Sequence, residues 1–261
     1  MMPLAERAYF VLCLALGRLL RSARYSTARI ADHDGAREVR KRRSFYAPLL
    51  IWMSGPLLRI LDTGVRVLPL RAWVERERKI YWRLGRAAIR IESDGMLVLP
   101  CLAGETLAAV LEDPARPEPV RKTAIQRAVV ALGEFHHLGL THGDAMAENV
   151  LIDLEAGTAH WFDFETVHDS SRPMTWRCAD DVRALIVTCL IRTVPGQRAA
   201  ILNLVLDVYA DDDITRVLAT SFTSVWRRPL TFHLAQAGLS LQSFREVAAE
   251  LRSRISAEFN G

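Results

Sequence analysis

His142-Gly143-Asp144-Ala145-Met146-Ala147-Glu148-Asn149 reads H-x-D-x-x-x-x-N, and twelve positions later Trp161-Phe162-Asp163-Phe164-Glu165 is an apolar run ending in Asp-Phe-Glu. Val150-Leu151-Ile152 and His160-Trp161-Phe162 predict two short strands, with Glu155-Ala156-Gly157-Thr158 as their turn. A hairpin brings its ends together. Asp144, Asn149 and Asp163 are therefore expected around one site, although Asp144 and Asp163 stand 19 positions apart. One candidate base and two oxygen ligands for a divalent cation form the set that phosphoryl transfer from ATP needs, because that chemistry rests on positioning and on neutralising phosphate charge. The plain alternative is a surface turn that happens to carry Asp and Asn.

The rest of the composition allows this chemistry. A chain of 261 residues, half of them apolar, can bury one substantial core. Cys13, Cys101, Cys178 and Cys189 are scattered, and no two have metal-motif spacing. They read as reduced thiols of a cytosolic protein. His136-His137 has no ligand cluster nearby in sequence and is read as closing the helix before His142.

The two quoted segments resemble the catalytic loop and the metal-binding loop of the protein-kinase-like superfamily. The His-Gly-Asp form is similar to its small bacterial and atypical branches, such as aminoglycoside phosphotransferases, lipopolysaccharide sugar kinases and compact atypical protein kinases. The likeness covers roughly residues 25 to 190 and is strongest from 130 to 185. It implies an α+β, two-lobed fold with a small β-rich N-lobe and a mainly helical C-lobe. The N-lobe would span 25–102, with an apolar insert at 45–70, and the C-lobe 103–261. It implies ATP and Mg2+ as cofactors, Asp144 as the base that accepts the acceptor hydroxyl's proton, and Asn149 and Asp163 as the metal ligands. His142 would brace the loop.

Further positions fit the same resemblance. Ala179-Asp180-Asp181-Val182-Arg183-Ala184-Leu185 resembles the start of the large C-lobe helix, whose Asp (here Asp181) would hydrogen-bond the catalytic-loop backbone. A helix N-cap with an acidic first turn is the plainer alternative for these residues. Trp73 to Leu84 predicts a helix with an apolar face at 73, 80, 81 and 84 and a stop at Gly85. Kinases pair a Glu on this helix with a Lys on a preceding strand. Glu77 lies on the apolar face and Glu75 is second choice. An ordinary solvated run of Glu and Arg is the bland reading. The chain has three lysines, Lys41, Lys79 and Lys122, and only Lys41 precedes the helix. An ammonium is not interchangeable with a guanidinium, so a lysine kept among 31 arginines has meaning, although Lys41 also lies within a basic run. Pro100 to Leu107 resembles the hinge between lobes, with backbone groups of Leu99, Cys101 and Leu102 toward adenine.

Departures from the family pattern narrow the substrate. No glycine-rich loop precedes Lys41, since residues 25–36 hold only Gly35. Glu165 stands where most kinases have Gly and has less freedom at positive φ. Only 18 positions separate Asp163 from Asp181, and no Ala-Pro-Glu segment follows. These features favour a hydroxyl-bearing small molecule, sugar or glycolipid as acceptor. A protein Ser/Thr substrate is the main alternative. A pseudokinase scaffold and a nucleotidyl transferase on the same fold are the other classes.

In outline, an apolar helix is expected at 4–20 and strands at 26–44. The apolar insert at 45–70 is interrupted by Pro48, Pro56 and Pro69. Strands follow at 88–92 and 96–100 around Ser93-Asp94-Gly95, then a helix at 120–138 and mainly helix after 180. Residues 1–45 carry a net charge of +6 against +4 for the whole chain. The run Ala8–Leu16 is too short to span a bilayer and lacks a signal-peptide cleavage pattern. With Arg18, Arg21 and Arg24 behind it, the 1–24 segment suits peripheral contact with an anionic membrane at its cytoplasmic face, with the insert as a second contact. Packing against the N-lobe is the alternative. No aromatic-basic motif points to nucleic acid.

Overall fold

The computed structural model describes residues 25–33, 35–60, 62–86, 89–92 and 96–222, with positions 11 and 249. The helix expected at 4–20, Cys13, the basic residues Arg18, Arg21 and Arg24, and the turn at 93–95 lie outside the described residues. The fold is mixed α+β. Strands β1 (Ser26–His33) and β2 (Ala36–Arg43) form an antiparallel hairpin with Ala28 opposite Lys41. Strand β5 (Leu97–Pro100) lines the other edge of β2, and β4 (Arg90–Ile91) completes the order β1-β2-β5-β4.

The insert at 45–70 is not the interrupted segment its prolines suggest. Residues Ala47–Ile60 form helix α1, which runs through Pro56. Pro48 falls in the first turn, where its missing N–H costs nothing. Pro56 removes the donor to the Trp52 carbonyl, and Trp52 is exposed. Strand β3 (Val65–Val67) follows and pairs with β9 (Thr166–His168). Helix α2 (Leu70–Arg83) buries Trp73, Glu77, Ile80 and Tyr81, spaced as one helical face.

The helical part of the chain holds the main core. A two-residue strand β6 (Glu105–Thr106) leads into α3 (Leu107–Glu112), whose first turn is capped by the Thr106 hydroxyl accepting from the Ala109 N–H. Helix α4 (Glu118–His137) packs on the hairpin of β7 (Val150–Asp153) and β8 (Thr158–Trp161) and on α6 (Arg198–Tyr209). Helix α5 (Met174–Leu190) is buried continuously from Cys178 to Leu190 and packs on α7 (Asp212–Phe222). Thus α5 begins seven residues before Asp181, not at it. Pro173 sets its start, and Asp180 and Asp181 lie inside the helix. No helix among the described residues is long and apolar enough to cross a membrane.

Candidate functional site

The hairpin closes as the sequence predicts. Val150 lies opposite Trp161, and below that pair the Phe162 N–H donates to the Asn149 carbonyl at 3.0 Å. Asn149, at the end of a short 3-10 turn over Ala147–Asn149, is thereby one residue from the backbone of Asp163. Both hydrogens of the Asn149 amide are used on Asp144. Nδ2 donates to its carbonyl at 2.8 Å and to its carboxylate at 2.9 Å. The amide oxygen must then point away from Asp144.

The loop that carries Asp144 is pinned from three helices. Asp181 of α5 accepts the His142 N–H at 2.6 Å and the Gly143 N–H at 2.8 Å, while His136 of α4 reaches it through Nε2 at 3.1 Å. Burial alone would raise the Asp181 carboxyl, but the surrounding His168, His136 and His142 hold it below its ordinary value. Arg76 of α2 donates to the Thr141 carbonyl at 2.6 Å. Burial lowers the Arg76 guanidinium to about 10, with Asp181 and Glu77 opposing that shift. Gly143 sits at φ +85, and a Cβ there would lie 3.2 Å from the backbone of Thr166 and Val167. The conformation favours glycine, and any side chain would have to press the Thr166–Val167 backbone back by a few tenths of an ångström.

His142 is fully buried among aromatic rings, with Phe164, Trp161 and Phe135 at 5.0, 5.4 and 6.4 Å. Its Nδ1 lies 3.3 Å from the Asp144 N–H, and its Nε2 lies 2.9 Å from the Phe162 carbonyl. This assigns the neutral tautomer with the proton on Nε2. Burial pulls its pKa down to about 4. His142 thus links the Asp144 loop to the segment preceding Asp163.

A second cluster converges from β2, α2 and the segment after β8. Lys41 Nζ lies 2.5 Å from Asp163, 3.3 Å from Glu165 and 3.5 Å from Glu77. Burial disfavours its charge, but the three carboxylates outweigh burial and hold Lys41 protonated well above its ordinary value. Burial would raise Asp163, yet Lys41 holds it low. Burial lifts Glu77 above the usual carboxylate range, against the pull of Lys41. The closest lysine partner is therefore Asp163. Glu77 is fixed independently, accepting from Trp73 Nε1 at 3.0 Å and from the Phe164 N–H at 3.3 Å. Glu75 is exposed on the same helix. Asp163 adopts φ +66, a left-handed conformation rarely taken outside glycine, Asn and Asp.

The segment after β5 uses its backbone unevenly. The Cys101 N–H donates to the Arg37 carbonyl at 3.2 Å, which extends the β2–β5 ladder. Antiparallel pairing alternates, so Leu99, opposite Val39, also turns its backbone groups toward β2. Pro100, opposite Glu38, is in the opposite phase. Of the three positions expected to face adenine, Leu99 and Cys101 turn their backbone groups toward β2, and Leu102 lies beyond the end of β5.

Several residues of the cluster carried no clear sequence signal. Glu165 was legible only as a missing glycine. In the fold its carboxylate takes Arg43 Nη1 at 2.6 Å and the Ser26 hydroxyl as well as Lys41. The Trp73 ring lies under both Lys41 and Arg43, at 5.0 and 4.6 Å. Arg76 has no motif at all. No protein-family model and no curated protein sequence matches the chain.

Proposed function

We propose that this chain is an ATP- and Mg2+-dependent phosphotransferase built on a two-lobed protein-kinase-like fold. The observation that carries the reading is a buried lysine, Lys41, shared by Glu77 and Asp163, with Asp163 tied through the hairpin base to the Asp144–Asn149 pair. In this reading Lys41 contacts the α- and β-phosphates and Glu77 positions it. Asp144 orients the acceptor hydroxyl and accepts its proton as the oxygen bonds to the γ-phosphorus and the bond to the β-phosphate oxygen breaks, releasing ADP.

The donor set fits magnesium. Asp163 and the amide oxygen of Asn149 are hard oxygens, and Mg2+ is usually held by one or two protein groups together with substrate phosphates. Among the described residues no group of three His, Cys, Asp or Glu side chains gathers as a metal cage. When bound, the ion would neutralise phosphate charge. The adenine would meet backbone groups of Pro100 and Leu102.

A small molecule, sugar or glycolipid is the favoured acceptor. Strand β9 is pinned to β3, and only residues 169–173 separate it from α5. That leaves no long segment there to cradle a protein substrate. A specialised protein Ser/Thr target is the second reading.

Calorimetry of Mg-ATP binding tests this. The native chain should bind in a metal-dependent manner, and Asp163→Asn should weaken binding at least tenfold. Asp144→Asn should keep binding and lose turnover. The acceptor should gain one phosphate by mass spectrometry. A gain of AMP would identify a nucleotidyl transferase instead. No binding at millimolar nucleotide would overturn the reading in favour of a scaffold.

A further inference from the structure

Helix α1 is apolar on both sides. Ala47, Ser54 and Leu58 are buried against the fold. Phe45, Leu49, Trp52 and Met53 recur at three- and four-residue spacing and face outward, with Phe45 90% and Trp52 74% exposed. Tyr46 adds an edge-to-face ring against Phe45 at 5.4 Å. A continuous exposed patch of aromatic and aliphatic groups marks an interaction surface rather than scattered surface apolarity.

Two further observations choose the partner. A groove of about 560 Å3 beside the helix is lined by Arg42, Phe45, Pro48, Ile51, Trp52 and Leu70. The exposed charged residues flanking the patch are mainly cationic: Arg42 before it, Arg59 in the last turn of α1 and Arg71 at the start of α2. Asp62 is the acidic neighbour, and it is paired with Arg172. Apolar rings that reach out between cations match the boundary between headgroups and acyl chains of an anionic bilayer.

We propose that α1 with Phe45 and Tyr46 is an interfacial helix that docks the protein on an anionic membrane surface. The aromatic rings enter the acyl boundary, and Arg42, Arg59 and Arg71 meet lipid headgroups.

The test uses the full chain, vesicles of phosphatidylglycerol mixed with phosphatidylcholine, and vesicles of phosphatidylcholine alone. The native protein should pellet with the anionic vesicles, and 0.5 M salt should weaken this. The double variant Phe45→Ser/Trp52→Ser should bind at least tenfold more weakly with an unchanged unfolding midpoint, since both side chains are exposed. Triple replacement of Arg42, Arg59 and Arg71 by Gln should reduce binding to anionic vesicles selectively. Unchanged binding in the double variant would overturn the proposal. So would a native chain that ignores anionic vesicles, or sedimentation showing a dimer that the double variant dissolves. Strong shielding of Trp52 from acrylamide in the free protein, with the patch covered by residues 1–24, would also overturn it. None of these readouts depends on phosphotransfer.

Discussion

Glu165 illustrates how one residue can staple a segment to a distant sheet. A buried carboxylate needs partners, or it costs several kcal/mol. Here it draws on Ser26 at the start of β1, Arg43 at the end of β2, and Lys41. The segment after Asp163 is thereby stapled to the first sheet, and the lysine is held from a third side. Glu165→Ala should cost about 3 kcal/mol, because it leaves Arg43 buried without its anion. It should also speed amide exchange in β1. Glu165→Gln, which keeps a hydrogen-bond acceptor, should lose less. Equal stability of the native chain and the alanine variant in urea would refute the staple.

His142 makes a pH-dependent contribution at the same scale. Its folded pKa is about 4, against an ordinary value of 6.5. The unfolded chain therefore takes up a proton at a pH where the folded chain refuses it. This contribution is intact above pH 6.5 and is lost as pH falls toward 4. Between pH 7.5 and 4.5 stability should drop by about 2–3 kcal/mol from this group alone. Asp163 and Asp181, both held below their ordinary values, extend the loss in the same direction below pH 3.8. Urea titrations at the two pH values should show the drop, and His142→Gln should shrink it.

Among the elements, α2 and the hairpin are joined by Phe164. Its ring stacks on Phe135 of α4 at 5.5 Å and meets the edge of Tyr81 of α2 at 6.4 Å, and its N–H donates to Glu77. A single side chain thus ties the helix bearing Glu77 to the loop bearing His142. Phe164→Ala should destabilise by about 3–5 kcal/mol, and Phe164→Leu by clearly less. If Mg-ATP binding falls in Phe164→Leu while its unfolding midpoint hardly moves, the ring positions Glu77 as well as filling space. The stripe Trp73-Glu77-Ile80-Tyr81 was readable in the sequence, because a carboxylate standing where an apolar residue is due implies a buried partner. The helical path through Pro56 was not, since proline periodicity argues for interruption and only the exposure of the Trp52 turn makes the lost bond cheap.

Across the whole molecule, local pattern determined the parts and tertiary packing determined the partners. Turn chemistry and strand alternation alone brought Asn149 to the residue before Asp163, because a short hairpin leaves one way to close. Helical periodicity alone put Glu77, not Glu75, on the inner face. The mixed α+β class was what the resemblance of the two quoted segments implied. Tertiary structure alone decided that Asp181 works from inside a helix rather than at its cap, that Cys101 spends its N–H on β2, and that Glu165 reaches Ser26 across 139 positions of sequence. The reason is physical. Periodicity and turns act over a few residues, whereas the partner of a buried charge is set by whichever distant segments fold against it and exclude water.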